Sequence, residues 1–274
     1  MNPISNTAYY CCGVRMDDAE RTPSVCNDRY ARRFMDEQGL RIFEPFRGET
    51  LPNISNIVRC RIIDDFVQRE IDAHSSARVV TIGAGFDTRP YRLRGGEWHE
   101  IDEPQIIGYK NERLPVAESP NPLTRVTVDF ASGSLGESLR TVPSDGHIIV
   151  VIEGVFMYLE PDAIAGTLRA LRGRFPRHLL LCDLMNRAFF ERFGASVHAK
   201  IVAIGARFTE RPVDPAAIFI EHGYREMANV PMFRRAAELG VLWQRARIPR
   251  IVARIILALV KDLSGFSVRQ FTYG

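Results

Sequence analysis

Two glycines and a downstream acid are the first residues in this chain of 274 whose types and spacing indicate ligand-binding chemistry. Gly83 and Gly85 end the apolar run VVTI, and the chain continues as FDTRPYRL. Glycines at such a turn let a ligand approach the backbone closely. Asp102 follows at close to the spacing at which an acid accepts hydrogen bonds from a ribose diol. These residues predict a loop that holds a nucleotide.

Acids also close the apolar segments that come later in the chain, at Asp129, Glu153 and Asp183. Since the carboxyl ends of parallel strands meet at one edge of a sheet, we expect these carboxylates around the same site. Such a site would repel a pyrophosphate, and the dinucleotide fingerprint requires a third glycine where this chain has Thr88. The pattern favours a nucleoside with a cationic, phosphate-free tail, such as S-adenosylmethionine.

Alternating strands and helices are predicted to position these residues. Apolar segments separated by helical patterns are typical of a parallel sheet that is covered on both faces. A helix is predicted over 56–73, another in DRYARRFMDEQGL (28–40), an edge strand in 225–230 and a last strand in the tail. The five principal strands are predicted at 78–82, 98–102, 125–130, 147–154 and 178–185.

The composition of the chain argues against several classes of partner and site. The net charge is +3 without a basic block, so we expect no nucleic-acid partner. Five cysteines without a Cys-x-x-Cys pair indicate neither a disulfide framework nor a metal site, and they favour a reducing cytoplasm. The first ten residues lack the features of a signal peptide. The run IVARIILALV is too short to span a bilayer, so we expect no membrane partner and a buried or amphipathic helix. The segment 239–260 could also form the face of a homodimer.

Several longer segments resemble the leucine carboxyl methyltransferase family, including its small-molecule branch of polyketide O-methyltransferases. The resemblance spans most of residues 6–230. It implies a class I S-adenosylmethionine-dependent methyltransferase: a Rossmann-like α/β fold whose seven-stranded, mostly parallel sheet ends in an antiparallel strand. The segments are NTA with DRYARRF, NIVRCRIIDD, GAGFDTRPYRL, EIDEPQIIGYK, EGVFMYL and CDLM.

The same resemblance implies a domain organisation. We expect residues 1–274 to form a single domain, because no linker long enough to divide the chain is present. Residues 1–55 would form an N-terminal helical cap segment. Residues 186–262 would form a partly inserted helical cap over the acceptor pocket.

Seven cofactor-binding residues follow from matching the family's motifs one position at a time. At the methionine end, Arg59 would pair with the carboxylate and Glu153 would lie nearby, with Gly83 and Gly85 beneath. At the adenosine end, Asp102 would bind the ribose hydroxyls. The remaining two would contact the adenine, Asp129 at its amino group and Phe130 beside its ring.

The resemblance implies methyl transfer to an oxygen of a small molecule, of a secondary-metabolite type, with S-adenosylhomocysteine as the product. A carboxylate acceptor needs no base, whereas a phenol with a pKa near 10 would benefit from one. No motif identifies a catalytic residue, and His198 is the one candidate base. A cap arginine, Arg187, Arg192 or Arg207, could hold an acceptor carboxylate.

Other readings remain open on the sequence alone. A protein C-terminal carboxyl methyltransferase would carry an N-terminal lysine for which this chain has no convincing counterpart. A protein that binds S-adenosylmethionine without catalysis, or an interaction protein, would share the same cofactor motifs. The segments 190–211 and 232–262 match the family poorly, and these are the segments expected to shape the acceptor pocket.

Overall fold

Seven strands form one sheet in the computed structural model, which describes residues 5–274. The strands are β1 (Ala77–Ile82), β2 (Glu97–Asp102), β3 (Leu123–Thr127), β4 (His147–Ile152), β5 (His178–Met185), β6 (Arg225–Pro231) and β7 (Phe266–Tyr273). Their order across the sheet is β3-β2-β1-β4-β5-β7-β6. β1 to β5 run parallel, and β7 lies antiparallel between β5 and β6. The seven-stranded, mostly parallel sheet predicted from the sequence is confirmed.

The strand order creates a crevice beside β1 and β4. From β1 the chain proceeds to β2 and β3 on one side, and from β4 it proceeds to β5 on the other. The carboxyl ends of β1 and β4 therefore flank a topological switch point, where open α/β sheets bind ligands. Both strands are apolar because helices cover both faces of the sheet: Val79 packs into the core on one face and Val80 into the core on the other.

Thirteen α-helices surround the sheet in the described part of the chain. They are α1 (Thr7–Ala19), α2 (Glu37–Phe43), α3 (Thr50–Ala73), α4 (Arg89–Arg92), α5 (Pro104–Arg113), α6 (Leu135–Arg140), α7 (Pro161–Arg174), α8 (Arg187–Phe189), α9 (Ala195–Ala203), α10 (Ala217–Glu221), α11 (Met232–Glu238), α12 (Val241–Ala246) and α13 (Arg250–Leu259). Proline occupies the first turn of α5 and α7, where its fixed φ and missing N–H are tolerated.

The prediction of one helix over DRYARRFMDEQGL was wrong. The segment forms a 3₁₀ turn at Ala31–Phe34 and then α2, which begins at Glu37. Asp36 causes the break, because its side chain accepts a hydrogen bond from the Gly39 N–H at 2.9 Å and so caps a new helix. The helix predicted over 56–73 exists as α3 and begins earlier, at Thr50.

The two predicted cap segments carry more than cap helices. α1 and α2 fall in the range 1–55. Residues 1–4, which include the start of the segment inspected for a signal peptide, lie outside the described residues. The range 186–262 contains α8 to α13 and also β6, which belongs to the central sheet. No helix among the described residues has the length and apolar character needed to cross a bilayer.

Candidate functional site

The loop after β1 is shaped by two glycines in left-handed conformations. Gly83 has φ +67° and Gly85 has φ +46°, values that other residues adopt only with strain. The Gly83 N–H donates to the Ile101 carbonyl at 2.9 Å, which ties the loop to β2. A side-chain carbon at Gly83 would lie 2.5 Å from Cγ2 of Val155 in the loop after β4. The loop thus passes close to its neighbour and exposes backbone to the crevice.

Asp102 ends β2 beside this loop. Its Oδ2 accepts a hydrogen bond from the Gly85 N–H at 2.6 Å, and its Oδ1 accepts one from the Glu103 N–H at 2.7 Å. The side chain is largely buried, and burial raises the pKa of Asp102 to about 6, although these two N–H groups lower it in part. Gly85 and Asp102, both predicted to bind the cofactor, are thus in direct contact, and their role in binding stays a prediction.

Glu153 follows β4 and bridges two arginines. Its Oε1 accepts from Arg59 Nε at 2.8 Å, and its Oε2 lies 2.8 Å from Arg89 Nη2. Burial by itself would raise the pKa of Glu153, but Arg89 and Arg59 outweigh burial and lower this pKa to about 2. Glu153 is therefore an anion at neutral pH, held on the wall of the crevice.

Arg59 reaches this place from the middle of α3. Besides Glu153 it donates to Oδ2 of Asp183, at the end of β5, at 3.0 Å. The other oxygen of Asp183 accepts from the Gly154 N–H at 2.6 Å. The third nitrogen of the guanidinium, Nη2, contacts the Cys11 sulfur at 3.6 Å. Arg59 thus fixes the loop after β4 and keeps one N–H-bearing edge toward α1.

Asp87 and Arg89, in the motif FDTRP, brace the loop from below. Arg89 Nη1 pairs with Asp87 Oδ2 at 3.0 Å, and Arg89 Nε pairs with Asp64 of α3 at 2.6 Å. Burial opposes ionisation of Asp87, but Arg89 and other nearby cations hold its pKa far below the ordinary value. Buried charges of this kind are tolerated because each one is paired.

These residues line one side of a cavity of about 620 Å³. Six of the seven predicted cofactor-binding residues contribute to its wall: Arg59, Gly83, Gly85, Asp102, Phe130 and Glu153. The opposite wall is apolar and comes mainly from the segments after β5. It includes Met157, Met185, Phe189, Phe193, Val197, Ile201, Phe208, Phe233, Leu263 and Phe266.

The two residues predicted beside the adenine behave differently. Phe130 lines the cavity with its side chain partly exposed. Asp129 does not line it: its Oδ1 accepts from the Ala131 N–H at 2.9 Å and the Ser132 N–H at 3.3 Å. In this geometry Asp129 shapes the turn that carries Phe130. A contact between Asp129 and an adenine remains a prediction.

His198, the candidate base, lies on α9 behind the cavity wall. Its ring stacks on Phe208 with centroids 5.2 Å apart, and its Nε2 is buried with no hydrogen-bond partner in the described part of the chain. Burial, with smaller contributions from Arg207 and Arg211, lowers the pKa of His198, so the ring is neutral at pH 7. His198 is not among the residues that line the cavity.

The three cap arginines also lie away from the cavity wall. Arg187 pairs with Glu210 at 3.0 Å, and Arg192 pairs with Asp262 at 2.9 Å. Arg207 is exposed. These three arginines therefore place no cation in the apolar half of the cavity.

Sequence reasoning missed the contribution of α1. Ala8, Tyr10 and Cys11 line the cavity, and Arg15 donates to the Phe86 carbonyl at 2.7 Å in the loop after β1. Arg15 also pairs with Asp28 at 2.8 Å. The segment TAYYCCGVRMDDA shows only a weak apolar periodicity, and the clearest signal for its role was the match of NTA to the family pattern.

One group of possible metal ligands lies elsewhere in the described residues. Glu70, His74 and His147 bring three ligand atoms within 4.8 Å of one another, near the start of β4 and so at the opposite edge of the sheet. The two imidazole rings stack 3.7 Å apart at 9°, so their ring-plane lone pairs run nearly parallel rather than toward one point. His147 Nε2 instead lies 2.9 Å from the Glu70 carboxylate.

Comparison with known proteins finds a family and relatives that this chain resembles. A model of the leucine carboxyl methyltransferase family matches residues 11–172, which include β1 to β4, α3 and the glycine loop. A relative from Streptomyces avermitilis, assigned as an S-adenosyl-L-methionine-dependent methyltransferase, is 27% identical over 250 residues, covering 85% of this chain and 87% of the relative.

Solved structures share the fold. A DUF574 family protein from Streptomyces avermitilis superposes with a TM-score of 0.58 at 12% identity, over 96% of this chain and 97% of that one. The magnesium protoporphyrin IX methyltransferase of Synechocystis, solved with bound S-adenosylhomocysteine, gives 0.52 at 13% identity, over 89% and 98% of the two chains. The fold class predicted from the sequence is confirmed by these neighbours.

Proposed function

Because this chain belongs to the leucine carboxyl methyltransferase family and uses S-adenosylmethionine as its cofactor, we propose that it methylates an oxygen of a small apolar molecule. The acceptor oxygen is a carboxylate or a phenolic hydroxyl. One observation carries this proposal: a polar wall at the strand ends and an aromatic wall from the cap enclose the same cavity.

The polar wall fits S-adenosylmethionine. Asp102 presents a buried carboxylate whose remaining lone pairs suit the two ribose hydroxyls, and the Gly83 loop leaves room for the ligand against the backbone. Arg59 Nη2, which has only a sulfur contact among the described residues, can take the methionine carboxylate.

The charge of the buried network also suits a cationic ligand. Four arginines face five carboxylates beneath the loop, which leaves one negative charge in excess. A sulfonium with an α-ammonium and a carboxylate carries one net positive charge, so the network favours it over a pyrophosphate. The network consists of Arg15, Arg59, Arg89, Arg92, Asp28, Asp64, Asp87, Glu153 and Asp183.

The aromatic wall supports an apolar acceptor of a secondary-metabolite type. Phe189, Phe193 and Phe208 supply flat surfaces on which a ring can stack. Apolar pockets with few convergent polar groups are typical of small-molecule sites. Five free cysteines among the described residues support a reducing cytoplasm as the compartment.

The chemistry required of the chain is orientation. S-adenosylmethionine, when bound, supplies a methyl group on a sulfonium. The acceptor oxygen forms a bond to the methyl carbon as the carbon–sulfur bond breaks, which leaves S-adenosylhomocysteine. Holding the two reactants in line is worth an effective molarity of about 10⁵ M or more in well-aligned systems.

A carboxylate acceptor suits this cavity better than a phenol, because a carboxylate needs no general base. None of the residues that line it is a histidine, and burial raises the pKa of both lining tyrosines, Tyr10 and Tyr158. A phenol would have to lose its proton to solvent before or during transfer, whereas a carboxylate is already ionised at pH 7. The acceptor experiment below therefore includes both carboxylates and phenols.

The first experiment is calorimetric titration with S-adenosylmethionine and S-adenosylhomocysteine, beside NAD and NADP, on the wild type and Asp102→Ala. Binding of the sulfonium pair that the variant loses supports the cofactor assignment at these residues. Equal binding by the variant, or a preference for a dinucleotide, contradicts it.

The second experiment identifies the acceptor atom. We would offer naphthoic acids and naphthols, which share one ring frame, with methyl-labelled S-adenosylmethionine and measure transfer against pH. A carboxylate acceptor gives a rate that is flat above about pH 6, whereas a phenol gives a rate that rises toward its pKa near 10.

Two rival functions are outcomes of the same assay. Transfer to a peptide with a free C-terminal leucine, without transfer to either ring series, would assign protein carboxyl methylation instead. Tight cofactor binding with no transfer to any acceptor class would favour a non-catalytic binding protein.

A further inference from the structure

α13 presents an apolar face to solvent. Only Ala253 of its ten residues is buried, and the two ends of the face, Ile251 and Leu259, are 74% and 77% exposed. At 100° per residue the exposed aliphatic side chains fall on one side of the helix. We call these five side chains the α13 face: Ile251, Val252, Ile255, Ile256 and Leu259. Trp243, on the neighbouring helix α12, is also exposed.

Cations without partners border the α13 face. Residues 239–261 contain five arginines and lysines and no aspartate or glutamate. Arg245 pairs with Asp18 at 2.8 Å. The other four have no carboxylate within salt-bridge distance among the described residues: Arg247, Arg250, Arg254 and Lys261. At 100° per residue Arg254 lies beside the Ile251 edge of the apolar stripe, whereas Arg250, in the first turn of α13, lies on the other side of the helix.

A second copy of the chain does not suit this surface. In an antiparallel pair of α13 helices about a two-fold axis, each edge of the stripe meets the same edge of the other copy, so Arg254 would face Arg254 of that copy. A ten-residue helix is also only about 15 Å long, which is short for the ~800 Å² per partner that a stable interface buries.

We infer that the α13 face binds the surface of an anionic lipid bilayer. The exposed apolar stripe has Arg254 at one edge, Arg247 and Lys261 beyond the two ends of the helix, and an exposed tryptophan on the neighbouring helix α12, which matches the charge and polarity of a lipid headgroup layer. The helix lies in the plane of the surface, with the aliphatic side chains among the acyl chains and the arginines at the lipid phosphates. This binding requires no helix that spans the bilayer, so it is compatible with the absence of one among residues 5–274.

The position of the α13 face relative to the cavity gives this binding a consequence. α13 packs on α11 and on the 3₁₀ segment Lys261–Gly265. Those two elements supply Phe233 and Leu263 to the apolar half of the cavity. A protein docked through α13 would hold its acceptor half beside the bilayer, where apolar acceptors concentrate. The docking itself does not depend on the proposed function.

The test is binding to vesicles, read by co-sedimentation and by fluorescence. The full chain is mixed with vesicles of phosphatidylcholine alone or of equal parts phosphatidylcholine and phosphatidylglycerol. Of the two tryptophans, Trp98 is fully buried, so a blue shift of the emission reports Trp243, and Trp243→Phe removes it. We expect binding to the anionic vesicles only, weakened by added salt.

Two variants address the two halves of the inference. Ile251→Ser with Leu259→Ser should abolish the blue shift. Arg250→Gln with Arg254→Gln should lower partitioning about five-fold for each cation removed. Val213→Ser, at another highly exposed apolar side chain, should change neither. Circular dichroism melts confirm that each variant is folded.

Three results would overturn the inference. The first is equal binding to neutral and anionic vesicles, and the second is anionic binding that the Ile251→Ser, Leu259→Ser variant retains. The third is a dimer in sedimentation equilibrium that this variant dissociates, with no binding to vesicles, which would assign the α13 face to a second copy of the chain.

Discussion

Asp102 gives the site a pH dependence that follows from one carboxylate. Burial raises its pKa to about 6. In the proposed complex the ribose hydroxyls of the cofactor would donate to its ionised form. Protons therefore compete with the ligand. Affinity for S-adenosylmethionine should be constant above about pH 7 and fall nearly tenfold per unit well below pH 6. Calorimetry from pH 5 to 8 measures this.

Asp102→Asn is the matched variant for that pH profile. It keeps the shape of the side chain and removes the titrating charge, so its weaker binding should be independent of pH over the same range. A wild-type affinity that does not change between pH 7 and pH 5 would show that Asp102 is not the group that holds the ribose.

Glu153 contributes to folding through the two arginines that it bridges. Its folded pKa, about 2, lies below the ordinary value, so its contribution to stability is present above about pH 4.5 and is lost as pH falls toward 2. Glu153→Gln leaves Arg59 and Arg89 short of a buried partner and should lower the free energy of unfolding at pH 7 by about 3–5 kcal/mol. Urea denaturation measures the loss.

A surface pair provides the control for Glu153. Glu37 lies opposite Arg41 on α2 with both side chains mostly exposed, and Glu37→Gln should change stability by less than about 0.5 kcal/mol. Equal losses for the two substitutions would mean that the Glu153 network does not support the fold.

The residue types at the strand ends were readable from sequence because they follow apolar runs. Gly83, Asp102 and Glu153 each come directly after or at the end of a strand, and parallel strands bring such positions together. Asp129 lies two residues beyond the end of β3 and accepts from local amides instead, because the turn that follows it brings the N–H groups of Ala131 and Ser132 within hydrogen-bond distance. Competition of this local kind is not visible in a pattern of acids.

At the scale of elements, the loop after β1 depends on the absence of one side chain. Gly83→Ala places a methyl group 2.5 Å from Val155 Cγ2 and also strains φ at +67°. Gly133→Ala has the same backbone strain, at φ +71°, with no atom within 4 Å of the new carbon. We expect Gly133→Ala to cost about 1–2 kcal/mol and Gly83→Ala to cost about 1–3 kcal/mol more.

A double variant isolates the contact. Val155→Ala removes the opposing methyl groups, so combining it with Gly83→Ala should recover part of the additional loss, as measured by thermal unfolding of all four proteins in the cycle. Additive effects would show that the loops after β1 and β4 do not press on each other.

Continuous apolar runs were predicted well, and helices with weak amphipathic character were predicted only in part. The principal strands were predictable from such runs, whereas α1 and α3 are both weakly amphipathic over their full lengths, and α1 is buried by contacts with α2 and α3. The split of DRYARRFMDEQGL at Asp36 depends on whether a capping hydrogen bond or helix continuation prevails, which tertiary packing decides.

For the whole molecule, the antiparallel last strand was implied by the family resemblance, and the parallel sheet with a site at its strand ends was predictable from the alternation of strands and helices. The acceptor was not, because the cavity's apolar wall is assembled from short segments after β5 whose order in space no sequence period encodes. Phe189 and Phe208 reach that wall, whereas His198 between them in sequence lies behind it.

Binding of the cofactor should stabilise the whole domain, since the cavity wall is drawn from α1, α3 and the ends of β1, β2 and β4. A ligand at 100 times its Kd adds about 2.7 kcal/mol, provided that it does not bind the unfolded chain. For a domain of this size that corresponds to a rise in Tm of about 5–10 °C. S-adenosylhomocysteine should raise Tm in a dose-dependent way, NAD should not, and Asp102→Ala should lose most of the shift. An equal rise with NAD, or a rise unchanged in the variant, would place the stabilising ligand somewhere other than the loop between Gly83 and Gly85.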